Sequence, residues 1–165
     1  MLRDGTGDVW TARDEDDTYT RAGDKPTVDV TCAVAAHRHA RVVARMRFVD
    51  LKRVHAHSFA AFIYTGERTV MALLNAGPGK RAGRHQLIDY NSGRVKCPEL
   101  THDIDYAAER VVMRIPRSCI SSPAWVRLSM FNSMYTSTNA TFREFTDNSH
   151  NRRSAAGVTY RLYRG

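Results

Sequence analysis

No apolar run in the 165 residues approaches the roughly 18 that a membrane helix requires, which argues against a helical membrane span. The chain also lacks a run of helix periodicity and an internal repeat, which points away from helical architectures. Gly-x-Ser-x-Gly is absent, and with it the usual nucleophile elbow. Gly77-Pro78-Gly79-Lys80 lacks the spacing and the following helix of a phosphate loop, and reads as a mobile hairpin loop within the stretch 77–83. Lysine is scarce. Of the 25 basic residues only Lys25, Lys52, Lys80 and Lys96 are Lys, a bias towards Arg that a GC-rich genome produces without any ligand. Met1-Leu2-Arg3 leads directly into Asp4-Gly5-Thr6-Gly7-Asp8, without the basic start and apolar stretch of a secretion signal. The expectation is a cytoplasmic protein, or an exported one whose signal has been trimmed.

What is present describes an ordinary globular domain. Hydrophobic residues make up 42% and charged residues 25%, and a chain of this length buries a core without disulfides or metals. The formal charge of +8 is enough to attract an anionic polymer at low salt, although composition alone explains much of it. From Thr27 a period-two pattern begins: Val28, Val30, Cys32 and Val34 alternate with Asp29, Thr31, Ala33 and Ala35. After a turn at His37-Arg38-His39, the residues Val42, Ala44, Met46 and Phe48 alternate with Val43, Arg45, Arg47 and Val49, which predicts a hairpin. Further strands are expected at 58–64, 69–74, 85–90, 110–115, 125–131, 140–145 and 158–163, separated by Gly, Pro, Asn and Ser turns. The fold expected is all-β, an antiparallel β-sandwich of jelly-roll type covering residues 27–165. Residues 1–26 are rich in Gly and Asp and read as an irregular N-terminal segment packed on it.

Cys97 and Cys119 are 22 positions apart and flank a second expected hairpin, so the ends of that hairpin could meet in a disulfide. Three cysteines also fit a reduced protein. Cys32, between Val30 and Val34, is expected to be a buried free thiol.

The segment Val111-Val112-Met113-Arg114-Ile115-Pro116-Arg117-Ser118-Cys119-Ile120, followed by Ser121-Ser122-Pro123-Ala124-Trp125-Val126-Arg127, resembles a pattern in small secreted actinobacterial proteins of no assigned function. Asp4-Gly5-Thr6-Gly7-Asp8, Asp29-Val30 and Phe48-Val49-Asp50-Leu51 are similar to them as well. The resemblance implies export, a Cys97–Cys119 disulfide and a β-sandwich like the carbohydrate- or haem-binding domains of the DOMON type. It implies no catalytic residues.

Candidate chemistry follows residue type. Asp4, Asp8 and Asp29, with the run Asp14–Asp17, could offer oxygen ligands to calcium, but no EF-hand spacing is present and solvated acidic turns are the favoured expectation. Asp29 stands out because it lies within a strand, where Asp is disfavoured. His55-Ala56-His57 places two imidazoles on one face of a strand, and His37-x-His39 is a second such pair. A catalytic metal would need a further ligand, for which His85, His102, Glu99 and Asp103 are the candidates. Arg45, Arg47, Arg114 and Arg127 are expected to point outward and form a basic binding face. Trp10, Trp125, Tyr90, Tyr106, Tyr135, Tyr160 and Tyr163 could stack on sugars if several shared one exposed face. Asn139-Ala140-Thr141 fits the N-glycosylation triplet.

The function expected is a secreted, non-enzymatic binding module whose ligand the sequence does not name, an acidic glycan or cell-wall polymer being the candidate, with no cofactor required and calcium the one that the acidic residues could take. No membrane insertion is expected, and nucleic acid is less favoured as a partner than a cell-envelope component. The alternative is a metal-dependent β-barrel enzyme built on His55 and His57. A third possibility is a structural protein whose basic surface meets an acidic partner.

Overall fold

A computed structural model describes residues 2–13, 18–137, 142–148 and 157–165. The Asp14–Asp17 run and the Asn139–Thr141 triplet lie outside the described residues. In chain order the strands are β1 (Leu2–Arg3), β2 (Val9–Arg13), β3 (Thr20–Gly23), β4 (Val30–His37), β5 (Arg41–Phe48), β6 (Ala56–Tyr64) and β7 (Thr69–Gly77). They continue with β8 (Lys80–Asp89), β9 (Gly93–Val95), β10 (Thr101–Asp105), β11 (Arg110–Pro116), β12 (Trp125–Ser137), β13 (Phe142–Asn148) and β14 (Leu162–Tyr163). All pairings are antiparallel. The smaller sheet has the order β1-β4-β5-β11-β10, and the larger has β3-β2-β13-β12-β6-β7-β8-β9 with β14 paired to β12. The two sheets pack face to face as a β-sandwich.

Period-two alternation builds this core directly. Val42, Ala44, Met46 and Phe48 on β5 and Val111, Met113 and Ile115 on β11 face inward from the smaller sheet. Phe59 and Ile63 on β6, Val70 and Leu74 on β7, and Leu128 and Met130 on β12 meet them from the larger one. Phe48 and Phe59 make an edge-to-face contact at 5.7 Å across the interface. Cys97 and Cys119 form a disulfide with Cα atoms 5.7 Å apart, closing the β10–β11 hairpin beside this core.

Three expectations are corrected. Residues 1–26 are not irregular throughout: β1 joins the smaller sheet, while β2 and β3 extend the larger, so the N-terminal segment crosses between sheets. The register of β4 against β5 shifts between Val30 and Cys32, a bulge that inserts one residue and reverses the alternation. Beyond it Ala33, Ala35 and His37 take the inward phase while Cys32 and Val34 turn outward. Cys32 is therefore a half-buried free thiol rather than a core one. Finally, 77–83 is not a loop. Gly77 pairs with Lys80 around Pro78-Gly79, and β8 begins at once. Gly83 has φ +81°, and a Cβ there would lie 2.6 Å from Leu74 Cδ1, so the close packing of β8 on β7 requires a glycine.

Candidate metal centre and ligand cleft

A buried polar seam interrupts the apolar interior. The main core is separate from a smaller cluster of Val9, Val28, Met134 and Phe145, and Asn132 and Asp147 are polar residues buried among the strands that carry that cluster. Asn132 Nδ2 donates to the Val28 carbonyl at 3.3 Å. Its Oδ1 lies 3.3 Å from Nδ1 of His57, which fixes the neutral His57 tautomer with its proton on Nδ1. Burial pushes the His57 imidazole down to about 4, an effect that Asn132 and the Lys52 backbone offset only in part and that His55 reinforces.

Asp147, on β13, shares the inward phase of Phe145. Its Oδ2 accepts the Val30 amide at 2.6 Å, joining the larger sheet to the start of β4 in the smaller. Asp29 immediately precedes β4, and its Oδ2 accepts the Gly7 amide at 2.7 Å. Gly7, at φ +74°, holds the left-handed turn of the Asp4–Asp8 connection, through which the chain passes from β1 to β2. One carboxylate oxygen from each of Asp8, Asp29 and Asp147 falls within 4.8 Å of the others, and all three residues are buried. Asp8 Oδ1 and Asp29 Oδ1 have no hydrogen-bond partner, and among the described residues no ion pair includes the three carboxylates. Each pair of ionised carboxylates at such a distance repels by about 3 kcal/mol at an effective dielectric of about 20. Burial, with the neighbouring carboxylates, accordingly pushes Asp147 up to about 8 and raises Asp29. Asp4 stands beside the three, its amide donating to the Thr31 carbonyl, and burial with Asp8 and Asp29 pushes it up to about 7.

The sequence candidates thus divide. Asp8 and Asp29 converge, and Asp4 stands close by. Asp147 was missed because the expected strand ended at Phe145, whereas β13 runs on to Asn148 and keeps Asp147 in the inward phase of Phe145. His57 is 2% exposed and stacked on Phe59 at 5.4 Å, while His55 lies 6.5 Å from it by ring centroids. Among the described residues no third ligand joins the pair. The expected extra ligands His85 and His102 instead meet each other, Nδ1 to Nδ1 at 2.6 Å, bridging β8 of the larger sheet to β10 of the smaller. His37 is buried at the end of β4 with Nδ1 against the Leu162 carbonyl, whereas His39 is exposed in the turn that follows.

The four arginines do not share a face. Arg45, Arg47 and Arg114 lie on the outer side of the smaller sheet, with Arg45 across from Val112, Arg47 across from Arg110, and Arg114 across from Val43. Arg110 itself is bound to Asp105 and Asp103 at 3.3 and 3.6 Å. Arg127 belongs to the larger sheet, opposite Tyr64, and donates from Nε to the Thr159 carbonyl.

The outer face of the larger sheet carries aromatic side chains. Trp10 from β2, Tyr19, and Phe131 and Tyr135 from β12 line an open cleft of about 400 Å³. Polar groups of Ser133, Glu144, Thr146 and Asn148 share it, and the Tyr19 hydroxyl donates to Glu144 at 2.8 Å. Phe131 stacks on Phe62 at 5.3 Å, and Phe62 meets Tyr90 at 5.8 Å, so the aromatic surface continues across β6 to the turn that follows β8. The remaining aromatic candidates lie elsewhere: Trp125 is under Arg161, Tyr106 is under Arg53, and Tyr160 and Tyr163 are exposed near the C-terminus. No family model matches the chain, and neither the curated proteins nor the solved structures provide a match.

Proposed function

We propose that the chain is a non-enzymatic glycan-binding module of an exported protein, with its ligand seated in the aromatic cleft of the larger sheet. The observation that carries this reading is the gathering of Trp10, Tyr19, Phe131 and Tyr135 on one open face beside hydroxyl, amide and carboxylate groups. A sugar ring offers an apolar face that packs on an aromatic ring, and hydroxyls at its rim that need hydrogen-bonding partners. Glu144 disfavours an acidic sugar in this cleft and suits a neutral one. The Cys97–Cys119 disulfide supports an oxidising compartment, since such bonds are rare where thiols are kept reduced.

A second reading, an acidic polymer on the smaller sheet, is favoured by Arg45 and Arg47, which are exposed on that outer face beside the half-buried Arg114. Titration of neutral oligosaccharides and of heparin separates the two. In the first reading Trp10→Ala weakens neutral-sugar binding at least tenfold and Arg45→Ala/Arg47→Ala leaves it unchanged. In the second, only the arginine variant matters, and retention on heparin falls steeply with salt. Absence of any neutral-sugar response at millimolar concentration would reject the cleft.

A further inference from the structure

We propose that Asp8, Asp29 and Asp147 form a calcium site that ties the N-terminal crossover to both sheets. The three carboxylates come from separate parts of the chain: the β1–β2 connection, the start of β4 in the smaller sheet, and β13 in the larger. Asp29 and Asp147 are each 1% exposed. Asp29 keeps Oδ1 without a hydrogen-bond partner, as does Asp8, which leaves an acceptor-only oxygen buried beside two other carboxylates. A carboxylate in that position stays ionised only if it is paired or coordinates a metal, and otherwise takes up a proton, the direction in which burial and neighbouring carboxylates push Asp147 and Asp29. Among the described residues no Lys or Arg pairs with the three, and a bound cation would supply the missing pairing charge.

The donor set selects the ion. All three ligands are carboxylate oxygens, with no thiolate or imidazole among them, which is the chemistry of a hard cation rather than of zinc or copper. Calcium accepts six to eight oxygens in flexible geometry, whereas magnesium gives up its water reluctantly and demands a strict octahedron. A buried cluster assembled from three distant segments therefore favours calcium. Asp4 is close enough to add charge, and backbone carbonyls and water would supply the remaining oxygens. The ion would hold Val9 and Trp10 in place as the chain enters β2, so it would act as a structural clamp rather than as a catalyst.

Calorimetric titration of the full chain, first stripped with chelator, provides the test. One calcium ion per chain is expected at pH 7.5, with at least tenfold preference over magnesium, and 1 mM calcium should raise Tm by about 5 °C or more. Asp29→Asn and Asp147→Asn should bind no calcium and show no calcium-dependent shift. In chelator their Tm should equal or exceed that of the unmodified protein, because the amide relieves carboxylate repulsion. No binding by the unmodified chain, an equal response to magnesium, or variants equally destabilised with and without calcium would overturn the site. The sugar cleft, which Trp10 also lines, is tested separately with its own ligands, so failure of the calcium site and failure of sugar binding are read out independently.

Discussion

Acidification should weaken the fold through His57, and the size of the effect can be worked out in advance. In the unfolded chain a histidine titrates near 6.5, while burial holds the folded His57 at about 4. The folded pKa is the lower, so between these values the unfolded chain binds more protons, and stability falls as pH drops. Linkage gives a loss of about 0.8 kcal/mol at pH 6, about 2 kcal/mol at pH 5 and about 3 kcal/mol at pH 4, all relative to pH 8. The raised carboxyls of Asp29 and Asp147 act in the opposite direction, so the measurement must be a difference. His57→Gln keeps a donor towards Asn132 Oδ1 and removes the titration. Urea unfolding of both proteins at pH 8, 6, 5 and 4 should show the gap between them changing by these amounts in favour of the variant as pH falls. A gap constant to within about 0.5 kcal/mol would refute a buried neutral His57, since its pKa shift would then be absent.

Removing the disulfide with Cys97→Ala/Cys119→Ala should cost about 3 kcal/mol in the chain-entropy account of a loop this long, seen as a Tm lowered by roughly 6–12 °C. Cys32 faces outward beyond the β4 bulge, so a thiol reagent should label one cysteine per folded, oxidised chain; no labelling would return Cys32 to the core. Gly83→Ala should destabilise by about 1–3 kcal/mol through its positive φ and the contact with Leu74, measured by thermal unfolding. A neutral result there would mean that β8 shifts to accept the methyl group.

The sandwich was legible along the chain because alternation is a local signal. Val42, Ala44, Met46 and Phe48 declare an inward face whatever their partners, and Val111, Met113 and Ile115 do the same. The disulfide was legible as one alternative, because a hairpin brings its own ends together. Asp29 drew attention as an acidic residue in a strand, and Trp10 and Tyr135 as aromatic residues able to share a face. Register and crossing were not legible. One inserted residue at the β4 bulge reverses which side chains face the core, and nothing before Cys32 announces it. The inward phase of Asp147 follows from Phe145 only because β13 runs on to Asn148, and its meeting with Asp8 and Asp29 depends on β1 and β2 joining different sheets. Likewise Arg127 looks equivalent to Arg114 until the sheets are assigned, because alternation specifies a face of a strand but not the sheet to which that strand belongs. The local residue pattern thus determined a two-sided β architecture. Tertiary structure alone decided which carboxylates and which aromatic rings stand together, because those neighbours are up to 139 residues apart in the chain and are joined only by strand order and packing.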